Sequence, residues 1–109
     1  MYIIGVAACP TGVAHTYMAA EAIKKACKEA GHDVKVETQG AGGIENQLTK
    51  EDVEKADFVI ITKDIAIIGE DRFKGKHIAK VTTGDAIKNA KALIKKIEEY
   101  IKKNNADNL

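Results

Sequence analysis

The chain has no apolar run approaching the ~20 residues that cross a bilayer, and Met1-Tyr2-Ile3 lacks the basic residues that open a signal peptide. It is therefore expected to be soluble and cytoplasmic. Cysteine is scarce. Cys9 and Cys27 stand in dissimilar settings, which excludes a disulfide framework and suits a reducing compartment. Charge of one sign is not in excess either, since 17 Lys and Arg against 16 Asp and Glu leave a net charge of +1. The lysines mix with glutamates along expected helix faces, as at Lys24, Lys25, Lys28 and Glu29, so the basic stripe of a nucleic-acid binder is missing. His32 and His77 stand alone among polar neighbours, and neither a metal nor a cofactor is expected. What remains is 109 residues, 45% hydrophobic and 30% charged. That is one domain able to bury a core, taken as residues 1–103 with a polar tail at 104–109.

Within it, Cys9-Pro10-Thr11-Gly12-Val13-Ala14-His15-Thr16 joins the apolar run Tyr2-Ile3-Ile4-Gly5-Val6-Ala7-Ala8 to an amphipathic helix. The run reads as a parallel strand buried on both faces. A loop feeding a helix N-terminus aims backbone N–H groups and the positive end of the macrodipole at one spot, which favours an anion. The loop is thus a candidate phosphate cradle, with backbone N–H groups of Thr11, Gly12, Val13, Ala14, His15 and Thr16 as donors and the Thr16 hydroxyl as an extra one. Pro10 has no N–H to give. Cys9 opens the loop, where the same field favours thiolate over thiol and makes it a nucleophile. The plainer reading is a small buried hydrophobe at a strand end. Absent residues narrow the chemistry further. A Cys-x5-Arg phosphatase loop needs arginine at position 15, where this chain has His15, and its one arginine is Arg72. A thioredoxin-like pair needs a second cysteine at position 12. The sequence offers Cys9 no evident general base.

Along the rest of the chain, apolar spacing predicts a helix over residues 15–30 ended by Gly31, with Cys27 as inert core and Tyr17 and Met18 either lining the anion pocket or, as the plainer reading, packing. Val34-Lys35-Val36-Glu37-Thr38 alternates and suits a sheet edge with one wet face. The glycine-rich stretch 39–43 lacks the lysine and hydroxyl of a Walker loop, and is either a turn or a backbone approach to phosphate. Thr49 to Asp52 forms a capping box with Leu48 and Val53 as staple. Residues 57–62 read as a second doubly buried strand, with Lys63 and Asp64 at its carboxyl end, where open parallel sheets bind ligands. A surface ion pair is the alternative for these two. Residues 65–69 fit no single pattern. Arg72 has a salt bridge to Glu70, Asp71 or a carbonyl as its plain role. Residues 77–81 make a fourth strand, Thr82 to Asp85 cap a last helix, and Ile87, Ala90, Ile94, Ile97 and Ile101 line its buried face. Four strands alternating with helices give an α/β fold with a four-stranded parallel sheet, helices on both faces and the phosphate loop after strand 1.

The segment ACPTGVAHTYMAAEAI (residues 8–23) resembles the phosphorylation-site signature of fructose-family enzyme IIB components of the bacterial phosphotransferase system. The resemblance continues through VKVETQG (34–40), TKDI (62–65) and RFKGK (72–76) in the family's order. It implies the strand order 2-1-3-4 and a phosphocysteine at Cys9. It also implies a phosphohistidine donor on enzyme IIA and a sugar hydroxyl, by default of fructose, held by membrane enzyme IIC. Two rival readings are a small thiol phosphatase or arsenate reductase, weakened by the missing arginine, and a non-catalytic module whose cysteine is incidental.

Overall fold

The computed structural model describes residues 1–9, 13–40 and 43–107. β1 (Tyr2–Ala8) is followed by α1 (Val13–Glu29), β2 (Asp33–Gly40), β3 (Gly43–Glu45), α2 (Lys50–Lys55) and β4 (Phe58–Thr62). A 3-10 helix (Glu70–Phe73), β5 (Ile78–Val81), α3 (Thr83–Lys88) and α4 (Ala90–Asp107) complete the chain. The sheet order is β3-β2-β1-β4-β5. Its four parallel members β2, β1, β4 and β5 keep the order expected for four strands. The expectation is corrected by β3, a fifth strand antiparallel to β2, with Gly40 opposite Gly43. Three residues are too few to show a periodicity, so this strand is recognisable only from what it pairs with. Gly40 and Gly43 of the glycine-rich stretch thus belong to the paired strands, and residues 41–42 lie outside the described residues.

Alternation along the strands sorts the core into two layers. Ile3, Ala7, Val36, Phe58 and Ile60 face α1, α3 and α4, meeting Ala19, Ala20, Ile23, Cys27, Ala86, Ala90, Ile94 and Ile97. Ile4, Val6, Val59 and Ile61 face the other way, onto Leu48, Val53, Ala56 and Phe73. Gly5 belongs to the first face, where an added Cβ would lie 3.2 Å from the Ile60 carbonyl oxygen and against Val36. The single last helix expected after the Thr82 to Asp85 cap is two helices, because Asn89, at φ −123°, closes α3 while its carbonyl accepts from Leu93 N in the first turn of α4. The predicted stripe nevertheless faces the core. No helix of the described residues is long and apolar enough to cross a membrane.

The capping box at Thr49 and Asp52 forms as read, and Asp52 also accepts from Lys35 Nζ at 2.8 Å and Tyr2 Oη at 2.9 Å. Lys35 above all, with the Thr49 N–H, holds the Asp52 carboxyl well below its ordinary range. Burial, and then the bond to Asp52, push the Tyr2 phenol up to about 12.

The edge assignment for β2 is overturned. β2 lies between β1 and β3, and Glu37 on its supposedly wet face is 0% exposed. Arg72 makes this possible by forking onto both Glu37 oxygens at 2.8 and 3.0 Å, while Leu48 N and Gln39 Nε2 donate to the same carboxylate at 2.9 and 2.8 Å. A buried carboxylate persists only when paired and hydrogen-bonded, and this one is both. Arg72 Nε donates to Gly69 O at 2.7 Å, and its guanidinium lies 4.8 Å from the Phe73 ring centroid. Gly69 itself has φ +80°, and a Cβ there would come within 2.8 Å of Arg72 Nε, so glycine is required twice over. In the same motif Lys76 Nζ donates to the Glu54 and Ala56 carbonyls at the end of α2. Arg72 thus has the structural role read for it, including main-chain carbonyls, but its carboxylate is Glu37 rather than Glu70 or Asp71.

Candidate active site

Three neighbouring parallel strands, β1, β4 and β5, end side by side and deliver Cys9, Asp64 and Thr83 to one place. Strand order changes direction between β1 and β4, which makes this crevice the switch point where open α/β sheets bind ligands. The two strand ends are pinned across it by Thr62, whose hydroxyl accepts from Ala8 N at 2.9 Å and donates to Ala8 O at 3.0 Å. Half-buried Cys9 follows directly.

His15, in the first turn of α1, turns its ring toward the thiol, with Nδ1 3.4 Å from Cys9 Sγ. Thr83 Oγ1 lies 3.3 Å from the same Nδ1 and 3.7 Å from Sγ. Asp64 accepts from Thr83 N at 2.7 Å and from Thr83 Oγ1 at 3.0 Å. The expectation that Cys9 has no general base nearby is therefore wrong. An imidazole able to serve as one stands in the motif itself, six residues on, and the helix start at Val13 turns it back over the sulfur.

Of the other predicted site residues, Val13, Ala14 and Thr16 share that first helical turn, whose N–H groups point toward the loop, and no acidic residue stands there to compete with an anion. Ala14 is exposed and Thr16 is buried. Pro10, Thr11 and Gly12 lie outside the described residues. Asp64 joins the cluster, whereas Lys63 gives only its backbone N–H, to Val81 O at 2.8 Å, and no Lys63–Asp64 ion pair is present among the described residues. Arg72 belongs to Glu37 and does not serve the loop. Thr83 was missed. Thr82 is the N-cap, accepting from Asp85 N, so the second threonine of the pair is spare for other work, and the doublet was the available signal. Tyr17 and Met18, expected to pack, are 39% and 53% exposed, and Tyr17 Oη donates to Glu45 Oε2.

The second cysteine is different in kind. Cys27 is fully buried, and burial first, then the charge of Glu98, pushes its thiol up to about 12. Brief iodoacetamide treatment of the native protein at neutral pH should accordingly label Cys9 and spare Cys27 until urea is added. Peptide mass spectrometry reads the outcome, and equal labelling in the native state would contradict it. The remaining histidines are structural. His32 Nε2 lies 3.4 Å from Glu98 Oε2. His77, expected among polar neighbours, instead stacks on Phe58 at 6.4 Å and meets the Tyr100 ring edge-on at 5.3 Å. No group of three or more potential metal ligands occurs among the described residues.

Residues 4–96 match the family model described as the lactose/cellobiose-specific IIB subunit of the phosphotransferase system. The chain belongs to the phosphotransferase-system IIB family. Such subunits are components of a phosphoryl relay in sugar uptake, and this IIB domain has close relatives. It is 60% identical over 99 residues to fructose-like EIIB component 2 of Escherichia coli strain K12, covering 91% of this chain and 93% of that one. Among solved structures it is similar to the enzyme IIB subunit of Escherichia coli K12, with a TM-score of 0.90, 44% identity and coverage of 95% and 96%. A domain of the fructose-specific IIABC component of Borrelia burgdorferi matches with a TM-score of 0.80 and 48% identity, covering 86% of this chain and 89% of that one.

Proposed function

We propose that Cys9 is the phosphoryl carrier of this IIB domain, taking the group from a phosphohistidine of enzyme IIA and passing it to a sugar held by membrane enzyme IIC. The observation that carries this reading is the 3.4 Å contact of Cys9 Sγ with His15 Nδ1 at the start of a helix. In acceptance the S–P bond forms as the P–N bond of the donor breaks. The P–N electron pair stays on the donor nitrogen, and the thiol proton, taken first by His15, ends on that nitrogen. In donation a sugar hydroxyl oxygen bonds to phosphorus, the S–P pair returns to sulfur, and the hydroxyl proton goes to His15. Backbone N–H groups of Thr11, Gly12, Val13, Ala14, His15 and Thr16 cradle the phosphoryl oxygens, aided by the Thr16 hydroxyl. Charge that develops on those oxygens then meets fixed dipoles.

The sugar is fructose or fructose-like, a reading supported by the names of the relatives. A phosphatase reading loses further ground because the one guanidinium of the chain is committed to Glu37. Intact mass after incubation with phosphorylated enzyme IIA tests the proposal. One added phosphoryl group, mapped to Cys9 and discharged by membranes bearing enzyme IIC and sugar, is expected. No adduct, or an adduct on another residue, would overturn it.

A further inference from the structure

A threonine hydroxyl has one proton, and Thr83 Oγ1 has three polar atoms within reach: Asp64 Oδ2 at 3.0 Å, His15 Nδ1 at 3.3 Å and Cys9 Sγ at 3.7 Å. Where that proton goes decides what the other two receive. Thr83 is 1% exposed, so water does not settle the matter for it. Asp64 Oδ2 is the nearest of the three, and the other oxygen of the same side chain accepts from Thr83 N at 2.7 Å, which fixes the carboxylate against the hydroxyl. The loop that carries Asp64 is tied down at its far end too. Gln39 clamps the Ile68 backbone with two bonds of 2.8 Å, and Arg72 holds Gly69 O.

We propose that Asp64 and Thr83 are positioning residues for His15: the carboxylate takes the Thr83 proton, so the threonine oxygen faces Nδ1 as an acceptor and holds the ring with an Nδ1–H beside Cys9 Sγ. The inference deepens the carrier reading and rests on it. The proton that comes to Nδ1 is the thiol's own: a site where Nδ1–H is favoured draws the pair from thiol and Nε2–H imidazole toward thiolate and imidazolium, the form that attacks phosphorus. Once the ring has given one proton to the donor nitrogen, the proton it keeps is again favoured at Nδ1, beside the sulfur that carries the phosphoryl group. Asp64 touches neither sulfur nor ring among these contacts and acts through Thr83 alone.

Asp64→Asn makes a sharp test. The asparagine oxygen still accepts from Thr83 N, so the backbone is held, but its NH₂ donates to Thr83 Oγ1 and sends the hydroxyl proton to Nδ1. The direction of the whole chain of bonds is reversed. Imidazole nitrogen NMR shifts of His15, read above its titration range, report the tautomer directly, as heavy-atom positions do not. The wild type and Thr83→Ser should favour Nδ1–H, Thr83→Val should lose the preference, and Asp64→Asn should favour Nε2–H. Phosphoryl acceptance should fall about ten- to a hundredfold in Asp64→Asn and Thr83→Val, the usual cost of removing the partner that fixes a functional imidazole, and return in Thr83→Ser. Identical ring shifts in all four proteins overturn the proposal, as does a reversed tautomer with unchanged acceptance. The ring signature needs no phosphoryl donor. A wild-type protein that accepts no phosphate therefore brings down the carrier reading and is told apart from a failure of the positioning pair.

Discussion

Cys9→Ser should melt at the wild-type temperature and accept phosphoryl groups slower by on the order of 10³-fold or more. The fold has little to lose, because Cys9 follows the last residue of β1, is half-buried, and Thr62 rather than the thiol pins the strand end. The chemistry loses twice. A serine hydroxyl gives up its proton far less readily than a thiol, so His15 at that distance is a poor match for it. Any phosphoserine formed would also hold its group, since oxygen departs from phosphorus less readily than sulfur, and onward transfer to the sugar would stop. Cys27→Ala should keep both steps, as a buried thiol pushed up to about 12 takes no part. The measurements are thermal melting, intact mass after exposure to phosphorylated enzyme IIA, and sugar phosphate formed. Acceptance by the serine variant at the wild-type rate would end the assignment of Cys9 as carrier.

The second large effect is on stability. Arg72→Met should lower the unfolding free energy by about 3–5 kcal/mol, because it strands a carboxylate that is 0% exposed. Leu48 N and Gln39 remain as donors to Glu37, but the opposite charge is gone. Arg72→Met with Glu37→Gln should recover about 1–3 kcal/mol, since a neutral amide oxygen still accepts from Leu48 N. Urea unfolding of the two single variants and the double variant checks this, and strict additivity would rule out the coupling. Acid should act through the same group. Burial alone would raise the Glu37 carboxyl, but its bonds from Arg72, Gln39 and Leu48 together outweigh burial and hold it below the ordinary range. A depressed carboxyl contributes stability that is complete above its unfolded value of about 4.3 and is lost as pH falls through the lower folded value. The stability gap between wild type and Glu37→Gln should therefore be constant near neutrality and close in that acid window.

Local chemistry made much of this protein legible in its sequence. The apolar runs of β1 and β4, the helical stripes of α1 and α4, the capping box at Thr49 and the cap at Thr82 each depend on neighbours within a few residues. The strand that ends before Cys9 and the helix that starts at Val13 were legible for the same reason, each being set by neighbours in the chain. Tertiary structure decided the rest wherever a residue's partner is distant in the chain. Alternation in β2 marked Glu37 as wet, and only Arg72, 35 residues on, made its burial possible. β3 is too short to show a period, and it moved β2 from the edge to the interior. Thr83 looked like a second helix cap until β1, β4 and β5 lay side by side and brought it, 68 residues from His15, against the same ring. Periodicity and capping read interactions along the chain, whereas the contacts that join Cys9, His15, Thr83 and Asp64 exist only where parallel strands bring their carboxyl ends together.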